Sequence, residues 1–295
     1  MSSLAAVGLG VDMIRIQLLG RFGLWRAGQI IHLKPQPLRE LFCYLLVKRA
    51  RDLSREMLAS DLWGHRSTAQ SLKTFRQALW QLSRLLLEHS ISEIKLIDRE
   101  FPKLELCPQV DLDIRQLERV SELLVEGSQL TSEGIAALKS AAELYRGDLL
   151  EGWDQDWCLL ERERYHNLYI AALDTLVELC LERRDTYAGL HYAQRLLALE
   201  PARECTHRQM MELYLLSGDR TAALRQFDRC AALLKQEYSV TPCVATLEVY
   251  RVAREGRSSP APQGLLLDHD VREEIASALK QILDTLKDMK RMLER

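Results

Sequence analysis

A period of 34 residues constrains this chain more than any other feature. "DTYAGLHYAQRLLALEP" begins at Asp185 and "DRTAALRQFDRCAALLKQE" at Asp219, with Ala188 matching Ala222 and Leu190 matching Leu224. A unit of that length holds two short helices. It cannot bury its apolar face alone, so it must stack on neighbours. "EGIAALKSAAELY", from Glu133, reads as a further relative, set apart by an insertion around "GDLLEGWDQDW". Helix follows helix from Asp111 to about Glu255.

Small residues at helix contacts on a 34-residue period are the tetratricopeptide signature, so residues 108–255 are expected to form a tetratricopeptide-like α-helical domain. The stretch before it is patterned differently. "MIRIQLLG" and "FGLWRAGQIIHL" alternate as short strands, with "AGQ" suited to a tight turn. Pro35 and Pro37 open a helix over "LRELFCYLLVKRA". "LSREMLASDLWG" follows, with Ser54 as N-cap and Gly64 as its stop. A third helix runs from about Thr68 to Glu88, and "EIKLID" and "KLELC" pair as a hairpin across "REFP". Short strands, three helices and a hairpin spell a winged helix over residues 13–107. The extra N-terminal strands narrow it to the OmpR type. The fold class expected is mainly α with a small β component.

Helical spacing divides the third helix into two faces. With Leu72 at the origin and about 100° per residue, Phe75, Leu79, Leu82 and Leu86 form a core stripe. The opposite face holds Lys73, Gln77, Trp80, Gln81 and Arg84, with Arg76 at its edge. No acidic residue lies between Ser67 and Leu87. A helix shaped only for solubility mixes signs, because i,i+4 Glu–Lys pairs stabilise it. A face of Lys, Arg and Gln without carboxylates suits phosphates and base edges. In a winged helix this is the recognition position. Arg66, just before the helix, is expected at phosphate, and Arg99 and Lys103 at the tip of the wing. Charge follows the same division. Met13 to Cys107 carries sixteen Lys and Arg against nine Asp and Glu, and the rest of the chain twenty-four against thirty-three. A basic module on an acidic body suits a polyanion partner.

These segments together resemble the Streptomyces antibiotic regulatory protein type of transcriptional activator, which joins an OmpR-type winged helix to a bacterial transcriptional activator domain. The resemblance rests on "IRIQLLGRFGLWRAGQIIHL", "LRELFCYLLVKRARDLSREMLASDLWG", "FRQALWQLSRLL" and "IKLIDREFPKLELC". In the second domain it rests on "VDLDIRQLE", "AAELYRGDLLEGWDQDW" and "SGDRTAALRQFDRCAALLKQEYSVTPCVATLEVYR". It covers roughly residues 13 to 254. It implies binding to double-stranded DNA near promoters, often at direct repeats, and recruitment of RNA polymerase. The sequence departs from the family where Gln81-Leu82-Ser83-Arg84 replaces a more arginine-rich end. It also has Trp80 where a smaller polar residue is usual. A different target site is expected.

The remaining features set the alternatives. "GRSSPAPQG" opens a linker over residues 256–267, and residues 268–295 read as an amphipathic helix. Its stripe, Val271, Ile275, Ala278, Ile282, Leu286, Met289 and Leu293, steps by three or four residues, as in a coiled coil. A homodimer through that stripe is favoured over docking on the chain's own helical body. Residues 1–12 read as a loose leader, without the basic start of a secretory signal. No apolar run approaches the ~18 residues of a membrane span, so a cytoplasmic protein without a membrane partner is expected. The seven cysteines include no C-x-x-C pair, which suits small core residues in a reducing compartment. No phosphate-binding G-x-x-x-x-G-K-S/T loop, H-E-x-x-H or G-x-S-x-G occurs, and the seven histidines stand apart. Asp154 and Asp156, between two tryptophans, read as an ordered insertion rather than an acid–base pair. Neither enzyme activity nor a cofactor is expected. With no receiver or ATPase segment, an input at the helical domain, from a ligand or a protein, is expected. The alternative function is an interaction scaffold whose winged helix does not bind DNA.

Overall fold

The computed structural model describes residues 13–125 and 130–256. Its sheet starts with β1 (Ile14–Gln17), β2 (Gly23–Arg26) and β3 (Gln29–Ile30). β1 and β2 are antiparallel, with Ile14 opposite Arg26 and Gln17 opposite Gly23. Between β2 and β3, Ala27 and Gly28 both take positive φ, 46° and 79°. That handedness matches the strand twist in a two-residue hairpin. Gly23 admits the Trp25 ring against its backbone, since a Cβ there would lie 1.9 Å from a ring carbon.

Three helices follow: α1 (Gln36–Val47), α2 (Arg55–Trp63) and α3 (Thr68–Glu88). Pro35 caps α1, and Pro37 lies in its first turn, where no N–H is missed. Ser54 caps α2 by accepting from the Met57 N–H at 3.3 Å. The wing is β4 (Ile94–Ile97) with β5 (Lys103–Leu106), antiparallel, Ile97 facing Lys103. Their shared core takes Leu38, Leu41, Phe42, Leu45 and Leu46 from α1 and Leu58, Leu62 and Trp63 from α2. Phe75, Leu79 and Leu82 of α3, with Ile94 and Leu104 of the wing, complete it.

The sheet is not complete at the wing. β6 (Asp111–Leu112) adds parallel to β1, giving the order β3-β2-β1-β6. Asp113 then enters the core, 7% exposed. Its Oδ2 accepts from the N–H groups of Leu18 and Leu19, and its Oδ1 from Ile114, each at 2.8 Å. Beyond it come α4 (Ile114–Val125), α5 (Ser132–Leu144), α6 (Asp156–Arg183) and α7 (Thr186–Leu199). α4, α5 and α6 pack on one another, and α7 packs on α6. The segment between α5 and α6 returns to the sheet. Leu150 donates its N–H to the Leu18 carbonyl at 2.7 Å, and Gly20 donates to Asp148 at 2.8 Å.

Charged and aromatic contacts bind the winged helix to these helices. Lys48, after α1, pairs with Glu161 of α6, and Arg49 pairs with Glu118 of α4. Tyr165 donates to the same Glu118 at 2.6 Å. Burial raises the Glu161 carboxyl, but hydrogen bonds from Lys48 and Arg164 outweigh it and hold the group below the usual range. Trp157 is buried edge-on to Tyr44, with ring centroids 5.0 Å apart, and to Trp153, 6.3 Å apart. The tryptophans of "EGWDQDW" therefore pack as an ordered insertion, as the sequence suggests.

The chain divides into two compact units between Thr206 and His207, a point inside α8 (Glu204–Leu216). The second unit adds α9 (Arg220–Tyr238) and α10 (Val244–Glu255). Met211, Ala223 and Ala253 are its fully buried centre, ringed by Tyr214, Leu224, Phe227 and Tyr250. Phe227 stacks on Tyr250 with centroids 4.1 Å apart. The 34-residue period is visible in the caps. Asp185 accepts from the Ala188 N–H at 3.1 Å, and Asp219 from the Ala222 N–H at 2.9 Å. Each aspartate follows a residue in the left-handed region, Arg184 at φ 56° and Gly218 at φ 81°.

Candidate nucleic-acid interface

α3 is fixed from below by small polar contacts as well as by its core stripe. Ser71 is buried and donates its hydroxyl to the Trp63 carbonyl at 2.7 Å, which sets the turn between α2 and α3. Phe75, Ala78, Leu79, Leu82 and Leu86 are buried. Leu72 is half-buried, at the margin of the stripe. The other face is open. Lys73, Arg76, Gln77, Trp80 and Arg84 are exposed, and Gln81 is half-buried.

The exposed face has internal order that helical spacing alone does not reveal. Arg84 donates from Nε to Glu88 at 2.6 Å, and its guanidinium lies 5.6 Å from the centre of the Trp80 ring. Trp80 remains 60% exposed. Trp80, Arg84 and Glu88 thus form a column at four-residue steps. Glu88 stands one residue beyond the acid-free stretch, so the signal is present but just past its end. Arg66 lies along the first turns of α3, its Nη1 donating to the Thr74 hydroxyl at 3.0 Å.

The two wing residues differ in setting. Arg99 is exposed in the turn between β4 and β5. Lys103 opens β5, is half-buried, and faces Asp52 at 3.7 Å. Arg55, at the start of α2, pairs with Asp98 and donates to the Arg99 carbonyl at 3.2 Å. The wing tip is therefore fastened to the helices beside it, and the charge of Lys103 is partly answered within the fold. The sequence shows neither contact, because the partners lie more than forty residues apart. The apolar stripe Val271, Ile275, Ile282, Leu286, Met289 and Leu293 lies outside the described residues.

Among the described residues no group of three His, Cys, Asp or Glu side chains is placed to hold a metal ion. None of the described helices is long and apolar enough to cross a membrane.

The comparisons with known proteins agree with this architecture. Residues 112–254 match the model of the bacterial transcriptional activator domain. The transcriptional regulatory protein MoaR1 of Mycobacterium tuberculosis is 23% identical over 249 residues, covering 80% of this chain and 78% of that protein. Residues 112–254 thus form a domain of that family, and most of the chain is similar to a transcriptional regulatory protein. The regulatory protein AfsR of Streptomyces coelicolor is also 23% identical, over 234 residues. That match covers 78% of this chain but only 23% of the larger protein. Among solved structures, Mycobacterium tuberculosis EmbR in complex with a low affinity phosphopeptide superposes with a TM-score of 0.66. The sequences are 15% identical, and the match covers 92% of this chain and 71% of that one. The likeness is one of fold. It extends over both the winged helix and the helical domain.

Proposed function

We propose that this regulator is a sequence-specific DNA-binding activator that inserts α3 in the major groove. The observation that carries the reading is the open face of α3. It is the third helix of a winged helix, it is held rigidly by its buried side, and it presents Lys73, Arg76, Gln77, Trp80 and Arg84. Lys73 and Arg66 would meet phosphates, which set affinity and register. Gln77, Gln81 and the arginines would meet base edges. Trp80 would pack on deoxyribose or a thymine methyl. Arg99 in the wing turn would reach the backbone beside the site. Lys103, already facing Asp52, is the weaker contact.

Activation would follow from recruitment of RNA polymerase, with protomers side by side on direct repeats. The stripe from Val271 to Leu293 would join two copies. Deleting residues 265–295 and measuring mass in solution checks this, and an unchanged oligomeric state rules out the stripe as the joint.

Selection of bound DNA from a random pool tests the central claim. A preferred sequence should emerge, and affinity for it should fall steeply with salt as neutralised phosphates release counterions. Recovery of no preferred sequence would favour the scaffold reading instead.

A further inference from the structure

Glu88 is the only carboxylate on α3 and closes the helix. Helix stability does not account for it. The C-terminal end of a helix carries partial negative charge, so an acid there is unfavourable. Nor does its pairing account for it. Glu88 accepts from Arg84 Nε at 2.6 Å, with the acid on the C-terminal side. In an i,i+4 pair the opposite order, acid first, stabilises a helix more. Both side chains are exposed, and exposed pairs of this kind add little to stability. The position of Glu88 is better explained by what it does to Arg84.

Arg84 is held from both sides. Trp80 lies one turn before it, with the ring centre 5.6 Å from the guanidinium, and Glu88 lies one turn after it. The carboxylate takes Nε, and neither Nη1 nor Nη2 donates to a described residue. What remains open is the end of the guanidinium, two parallel N–H groups in one plane. That fork matches the O6 and N7 acceptors of guanine in the major groove. An arginine free to swing loses rotamer freedom when it binds, and one already oriented loses less. Charge acts in the same sense. Arg84 and Glu88 together are neutral, so the pair gains little at a phosphate, whereas an unpaired arginine would be drawn to the backbone. We infer that Glu88 is a positioning residue: with Trp80 it fixes the Arg84 guanidinium as a fork for one guanine of the target site, and it keeps that arginine off the phosphates. The inference rests on the proposed entry of α3 into the major groove and assigns the base read by one of its side chains.

Binding titrations of the full chain on its selected site and on scrambled DNA provide the test. A deazaguanine, in which carbon replaces N7, is placed at each guanine of the site in turn. At one guanine the wild type should lose about tenfold in affinity. Arg84→Lys, whose point charge cannot fork, should lose nothing further there. Glu88→Ala should cut the preference for that guanine at least about fivefold. Its affinity for scrambled DNA should rise, and its slope of log affinity against log salt should steepen by about 1, as Arg84 turns to phosphate. A carboxylate that merely repels DNA would, on removal, strengthen binding to both DNAs and leave the guanine preference intact. Urea melts check that both variants stay folded, as substitutions at exposed positions should. The inference is overturned if Glu88→Ala keeps the full guanine preference, or if no guanine couples to Arg84. Selection of no preferred sequence by the wild type would overturn the DNA-binding reading with it.

Discussion

Trp80 is 60% exposed beside an arginine that is itself tied to Glu88. Its removal should leave folding nearly unchanged, since exposed positions of this kind shift stability by about 0.5 kcal/mol at most. Trp80→Ala is therefore expected to lose about tenfold in affinity for the selected site, roughly 1.4 kcal/mol, with an unchanged denaturation midpoint. Gel-shift titration beside urea melts separates the two. Asp113 works through the opposite property, burial. Desolvation pushes its carboxyl up to about 6, against the pull of the N–H groups of Leu19, Leu18 and Ile114. A folded pKa above the unfolded value means that its proton stabilises the fold at low pH. That contribution fades as pH rises from about 4 through about 6, and over the whole interval it amounts to roughly 3 kcal/mol. The stability of the wild type relative to Asp113→Asn should thus decline across that interval, as read from denaturation midpoints at each pH.

At the scale of elements, the roles proposed for α3 separate positioning from reading. Lys73→Ala should weaken binding to all sequences alike and lower the slope of log affinity against log salt by about 1. Gln77→Ala should relax preference at one base pair at a cost of about 1–3 kcal/mol. Salt titrations on selected and scrambled sites distinguish them. Local pattern was enough to find this helix. Its span, its buried stripe, the Ser54 cap, the wing and the paired Asp185 and Asp219 repeats all follow from periods of two, 3.6 or 34 residues. Elements without a period were not legible. β6 is two residues long, too short for alternation to register. Asp113 reads as one more acid until Leu18 and Leu19 are beside it. The pairs Lys103–Asp52 and Arg55–Asp98 join residues far apart in the chain, and nothing local marks them. Those same pairs change the wing's standing as a site, because the sequence displays charges but not the partners that occupy them.

For the molecule as a whole, the winged helix and α4 to α7 belong to one compact unit. Lys48 and Glu161 meet with side chains only 16% and 6% exposed. Breaking a pair so buried costs about 3–5 kcal/mol, because one charge is left without its counter-charge. Glu161→Ala should lower the stability of the full chain by that order in urea. Fluorescence of variants that keep only Trp63 of α2 or only Trp157 of α6 should report one shared transition. Two separated transitions would show that the modules melt independently.

The fourth strand of the sheet has a consequence for how the protein is made. β1 is synthesised before the rest of its sheet, and its parallel neighbour, Asp111–Leu112, follows some ninety-five residues later. The carbonyl of Leu18 waits longer still, for Leu150. Pairings of such separation form late, since loop closure precedes any return from contact. On the ribosome, the winged helix therefore cannot finish folding when its own last residue emerges. It must wait for the start of the helical domain, so a nascent regulator gains its finished sheet only after its second module is under way.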